Sequence, residues 1–157
     1  MPLKYQVPDD KKVRVIVDSD AACEADDPFA IAHALLCDKF IVKAIFAEHF
    51  NCEGSMKQSF EEIQRVVKAM KKEVPVLMGE IGKLSEKGTG EISEASSFLI
   101  REALREDDKP LYVLCIGAIT NIASAIQACP DIVPRMTVVW IGGQSHEHST
   151  GEVREFN

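Results

Sequence analysis

A run of β-branched residues, Val13, Val15, Ile16 and Val17, stops at Asp18, and five carboxylates crowd the next ten positions: Asp18, Asp20, Glu24, Asp26 and Asp27. An apolar stretch follows at once, so the segment is expected to be a buried strand, an acidic turn and a helix. Two unit charges about 4 Å apart repel by roughly 4 kcal/mol at the effective dielectric near a protein surface. Carboxylates this dense at the end of a buried strand need a cation or shared protons, and their residue type predicts a divalent-metal site. Helix capping is the alternative, because Asp at a strand-to-helix turn caps the helix and complements its dipole. A helix start has room for about two such residues, however, and five are present.

Beyond this segment the pattern repeats. Strands are expected at Val13 to Asp18, Ile41 to Ala47, Pro75 to Met78, Leu111 to Ile116 and Thr137 to Ile141. Between them lie helical stretches: Asp26 to Cys37 with Phe29, Ala30, Ala34 and Leu35 as its apolar face, then one in which Met56, Phe60, Ile63, Val67 and Met70 recur at spacings of four and three. Ser55 and Gln58 form a capping-box pattern at the start of the latter. Further helices are expected at Ser93 to Arg105 and at Thr120 to Ala128, with Ile122, Ala123 and Ile126 inward. Strands alternating with helices imply parallel pairing through right-handed crossovers, hence an α/β sheet covered on both faces. In such sheets ligands bind beyond the carboxyl ends of the strands. Asp18 to Asp27, Glu48 to Asn51, Gly117 to Asn121 and Gly142 to Asn157 all follow strand ends and are expected to share one rim.

Composition narrows the partners. A length of 157 residues with 46% hydrophobic content suits a single α/β domain, residues 1–157. The net charge of -7 and the brevity of the basic runs, Lys11–Lys12 and Lys71–Lys72, argue against nucleic acid. The five cysteines, Cys23, Cys37, Cys52, Cys115 and Cys129, form no CxxC pair, so neither a disulfide framework nor a zinc ribbon is expected. Cys37, Cys115 and Cys129 read as small core residues. Neither a leader-like apolar start nor a membrane-length apolar run is present, and a cytoplasmic protein with no membrane partner is expected. Gly88 and Gly90 complete no dinucleotide fingerprint, and there is no P-loop.

VIVDSDAACEADDPFAI resembles the opening signature of the inosine-uridine type nucleoside hydrolases, an Asp-x-Asp followed by Asp-Asp at the first strand end. LCIGAITNIASAI resembles that family's Gly-Pro-Leu-Thr-Asn-Ile-Ala turn, with Ala118 and Ile119 in place of Pro and Leu. WIGGQSHEHSTGEVREFN resembles its Gly-Gly segment ending in Glu-Phe-Asn. The motifs occur in the family's order.

The resemblance implies a Rossmann-like, mostly parallel sheet with helices on both faces. It also implies hydrolysis of the N-glycosidic bond of ribonucleosides by a calcium-activated water. Asp20 and Asp27 match calcium-ligating carboxylates, Asp20 doubling as the base that takes the proton of the water. Ile116 matches a residue that gives its main-chain carbonyl to the metal. Asp26, Glu155 and Asn157 match sugar-binding residues, Asn51 matches a further ribose contact, and Asp18 is assigned to ordering the loop. Among the histidines, His33 is expected to be structural, whereas His49, His146 and His148 lie near the rim. Five residues, Ala21 to Ala25, separate Asp20 from Asp26 where the family has three, so the loop must bulge. Family members are also about twice as long, their second half bringing another Asp ligand and a His beside the leaving base. The chain therefore reads as the N-terminal half of a longer hydrolase and as a candidate homo-oligomer whose open sheet needs covering. Two alternatives stay open: a catalytically incomplete nucleoside- or sugar-binding member, and a phosphatase of the haloacid dehalogenase type with Asp18 as nucleophile.

Overall fold

Runs of Val, Ile and Phe pair side by side because their branched and aromatic side chains fill both faces of a pleated surface. In the computed structural model, which describes residues 6–84 and 92–143, five strands do so: β1 (Val13–Ser19), β2 (Phe40–Ala47), β3 (Val76–Met78), β4 (Leu111–Cys115) and β5 (Thr137–Trp140). All pairings are parallel, and the spatial order is β3-β2-β1-β4-β5. Four helices connect them: α1 (Asp26–Leu36), α2 (Ser55–Ala69), α3 (Glu94–Leu104) and α4 (Thr120–Ala128). The α/β architecture expected from the sequence is the one observed.

Side chains alternate across a strand, and the period of two sorts β1 cleanly. Val15 and Val17 join Ile31, Ala34, Ile63 and Val67 in a core beneath α1 and α2. Ile16 joins Phe46, Leu99, Val113 and Ile122 in a second core beneath α3 and α4. The same parity sends Asp18 toward α4 and Ser19 toward α1. Chain order reverses between β1 and its neighbour β4, the switch point beyond whose strand ends ligands bind in open sheets of this kind. At the opposite end of β1 the buried Arg14 donates to Glu102 Oε1 and the Glu102 carbonyl at 3.0 Å, pinning α3 to the sheet.

Three local expectations need correction. Phe29 and Ala30 do not face the core: Phe29 is 77% exposed, and Ile31 and Ala34 are the buried residues of α1. His33 is exposed on that outer side and has no structural role in the core. The capping box at Ser55 does not form, because Gly54, in the left-handed region at φ 73°, is the N-cap of α2; the Ser55 hydroxyl instead accepts from the Phe50 N–H at 3.1 Å. Cys115 is buried, whereas Cys37 and Cys129 are half-buried. The edge strands keep apolar surface, with Met78 of β3 and Val139 of β5 exposed. No helix among the described residues is long and apolar enough to cross a membrane.

Leu99→Ala should cost about 2–5 kcal/mol through the cavity it leaves in the α3/α4 core. Phe29→Ser should stay within about 0.5 kcal/mol, as at other exposed positions. Urea unfolding of the two variants checks the assignment of faces.

Candidate active site at the carboxyl end of the sheet

Where β1 ends, the chain turns sharply, the Cys23 N–H donating to the Asp20 carbonyl at 2.7 Å, and α1 begins at Asp26. The residue before the helix is Ala25, and no side chain caps it. Capping therefore does not explain the acids. They divide into two sets: Asp18, Asp20 and Asp27 are buried, while Glu24 and Asp26 are exposed. Ser19 Oγ donates to Asp27 Oδ1 at 2.6 Å, which draws the first turn of α1 onto the end of β1.

Asp20 and Asp27 are 4% and 5% exposed. Burial raises the pKa of both, and the charges of Asp26 and Glu24 raise them further. Asp27 also feels the charge of Asp20 and is pushed up to about 6, although its bond from Ser19 works the other way. The nearby Cys23 thiol works the other way on Asp20, lowering it. A Cβ on Gly117 would lie 2.5 Å from Asp20 Oδ1, so the Asp20 carboxylate rests against the Ile116–Gly117 turn and only glycine fits there. The Ile116 N–H donates to the Asp18 carbonyl at 2.8 Å, and Trp140 Nε1 donates to the Gly117 carbonyl at 2.9 Å, fixing that turn from both sides. Asp20 and Asp27 thus lie close enough at the end of β1 for their charges to interact, with Asp20 against the Ile116–Gly117 turn.

Beneath it lies a polar layer. Asp18 is wholly buried; its Oδ1 accepts from Asn121 Nδ2 at 2.8 Å, and its Oδ2 has no partner. Glu48, also wholly buried, accepts the Asn121 N–H on Oε2 and the His49 N–H on Oε1, each at 3.0 Å. Burial raises the pKa of both carboxyls, and the charge of Asp20 raises Asp18 further as that of Asp18 raises Glu48, so each favours its protonated form. The Asn121 carboxamide also donates to the Ala47 carbonyl at 3.2 Å and accepts the Glu80 N–H at 2.7 Å. Glu80 is partly buried, yet bonds from the Ser93 N–H and from the hydroxyls of Ser124, Ser96 and Ser93 outweigh that and hold it below the ordinary carboxylate range. A Cβ on Gly79 would collide with the Ala47 carbonyl and the Asn121 carboxamide, which keeps the end of β3 tight against this layer.

Of the remaining sequence candidates, Asp26 stands exposed in the first turn of α1, and Asn51 is exposed after β2 with φ 59°. His49 is buried at the end of β2. Glu155, Asn157, His146 and His148 lie outside the described residues. Asp18 is bonded to Asn121 of α4 rather than to the acidic loop, and buried in this way it does not present the exposed nucleophile that the phosphatase alternative requires. Asn121, Glu80 and Ser96 were not read as site residues from the sequence. The signal for Asn121 was its place in the strand-end segment Gly117 to Asn121 and in the LCIGAITNIASAI motif, though no role was assigned to it there.

Among the described residues no three His, Cys, Asp or Glu side chains converge on one cation position. What is gathered is two buried carboxylates, raised by burial and by neighbouring charge, beside a main-chain turn. Hard oxygen donors of this kind fit a cation such as calcium or magnesium.

A parallel sheet of order β3-β2-β1-β4-β5 with acids buried at its switch point defines an α/β protein whose ligand site lies at the carboxyl end of the sheet. The profile of the family described as inosine-uridine preferring nucleoside hydrolase matches residues 15–157, and the chain belongs to that family. Solved structures share the fold. An inosine-guanosine nucleoside hydrolase superposes with a TM-score of 0.68 at 23% identity, over 85% of this chain and 48% of its own. A purine-preferring ribonucleoside hydrolase from Gardnerella vaginalis gives 0.69 at 22%, over 83% and 49%. An inosine-uridine preferring nucleoside hydrolase from Bacillus anthracis gives 0.64 at 14%, over 84% and 51%. The chain spans about half the length of these structures.

Asn121→Ala should destabilise the fold by about 3 kcal/mol or more, because it strips partners from Asp18, the Ala47 carbonyl and the Glu80 N–H at once; urea denaturation measures it. A pH dependence follows for Asp27, whose folded pKa of about 6 exceeds its ordinary value of 3.8. Its contribution is fully present below about pH 4 and is lost as the pH climbs through about 6, since the folded state keeps a proton that the unfolded chain releases. In chelator-treated protein, the stability of wild type relative to Asp27→Asn should therefore fall across that window. A flat difference would show that Asp27 titrates normally.

Proposed function

We propose that the full-length protein hydrolyses the N-glycosidic bond of ribonucleosides, giving ribose and free base, at the crevice where β1 and β4 end. The observation that carries this is the burial of Asp20 and Asp27 together at the switch point, with Asp20 against the Ile116–Gly117 turn. Calcium is the cofactor proposed, held by the carboxylates of Asp20 and Asp27 and the carbonyl of Ile116. When bound, such an ion neutralises the crowded acids and makes a water more acidic.

The chain's own residues would do the rest. Asp20, buried and with a raised pKa, is suited to accept the proton of the attacking water. Asp26, exposed at the start of α1, is free to accept hydrogen bonds from ribose hydroxyls. Asn51 at the end of β2, with Glu155 and Asn157, completes the proposed sugar contacts. Positive charge develops on the sugar as the glycosidic bond breaks, and the acidic rim favours it.

A binding protein without turnover is the second proposal. It is favoured by the gathering of fewer than three acidic side chains around one position among the described residues. The two readings separate on product. With inosine or uridine, the full-length protein should release base and ribose, chelation should abolish release, and Asp20→Ala should lower kcat by about 10²–10⁴-fold. A full-length protein that binds calcium, is stabilised by nucleoside and forms no product would reject the hydrolase.

A further inference from the structure

His49 is a buried side chain at the rim that the proposed chemistry leaves without a task. Its ring bridges two segments 71 residues apart, Nε2 lying 2.9 Å from the hydroxyl of Thr120, the first residue of α4. On its other side Nδ1 accepts the Asn51 N–H at 3.2 Å. A nitrogen that accepts carries no hydrogen, so the ring is the neutral form with its proton on Nε2. That proton faces the Thr120 hydroxyl and, at 3.4 Å, Glu48 Oε1. Burial and the charge of Lys83 hold the ring below the ordinary histidine range, against the opposing pull of Glu80.

The His49 ring meets the backbone of Asn51 at an unusual conformation. The Asn51 φ of 59° lies in the left-handed region, which a non-glycine residue occupies only at some cost unless local bonds favour it. Its neighbour Phe50 is tied to α2 through the Ser55 hydroxyl, and Ser55 in turn donates its N–H to the Cys52 carbonyl at 3.1 Å. The His49 ring links the turn to the first residue of α4, beside the bond from the Asn121 N–H to Glu48.

We propose that His49 is a positioning residue: clamped between Thr120 and the Asn51 amide, it holds the β2–α2 turn, and so Asn51, in one conformation at the rim of the crevice. The part that Asn51 plays in sugar binding rests on the nucleoside reading above; the clamp does not.

Two substitutions divide the ring's two contacts. In His49→Asn the side-chain oxygen can stand where Nδ1 stands and still accept the Asn51 N–H, as in an Asx-turn, but the reach to Thr120 is lost. In His49→Gln the amide can stand where Nε2 stands and keep the Thr120 contact, but the acceptor for Asn51 is lost. In the full-length chain, ¹⁵N spectra should show His49 protonated on Nε2. Asn51 amide exchange should stay close to wild type in His49→Asn and quicken about fivefold in His49→Gln, the worth of one neutral hydrogen bond. KM for inosine should follow the same split, rising about fivefold in His49→Gln with kcat little changed. Equal exchange in the two variants, or a proton found on Nδ1, overturns the clamp. If wild type turns over no nucleoside, the hydrolase reading fails by itself, and the ring spectrum and amide exchange still decide the clamp.

Discussion

The carboxamide of Asn121 is the interaction on which the carboxyl end of this sheet depends. It reaches Asp18 on β1, the last carbonyl of β2 and the Glu80 N–H after β3, while its own N–H meets Glu48. Each contact joins segments that are far apart in the chain. Buried acids are tolerable when they are hydrogen-bonded or protonated, and one amide side chain, with two donors and an acceptor, meets several of those needs together. The start of α4 is thereby fixed against three strand ends, and the Ile116–Gly117 turn that precedes it is fixed as well.

The electrostatics follow from that arrangement. In the lower layer Asp18 and Glu48 each favour the protonated form, because the surroundings are dry and neighbouring acids raise them further. The upper layer, Asp20 and Asp27, is buried and crowded enough that each carboxylate resists ionising. A cation or a developing positive charge would be stabilised here, as expected of a crevice lined by one sign of charge. Glu80, satisfied by serine hydroxyls, stays ionised below the site and adds to that field.

The sequence exposed some of this more readily than the rest. α2 was legible because its apolar residues alternate with charged ones, which fixes the phase of the helix. In α1 nearly every residue from Phe29 to Leu36 is apolar, so composition leaves the phase open, and packing turned Phe29 outward and Ile31 inward. Asp20 and Asp27 were legible because five acids in ten residues exceed what a helix start can use. Glu48 and Asn121 were legible only as members of strand-end segments, and Glu80 and Ser96 not at all, because the partners that bury them are set by strand order rather than by local spacing.

The sequence by itself determined the alternation of strands and helices, the parallel pairing that alternation forces, and the family to which the motifs belong. Those properties are written in local periodicity and short-range spacing. Only the tertiary structure decided which acids are buried, that no side chain caps α1, that His49 clamps to Thr120, and that Asp18 meets Asn121 rather than solvent. The strand order β3-β2-β1-β4-β5 puts β1 beside β4, and that single adjacency brings residues a hundred positions apart within hydrogen-bonding distance.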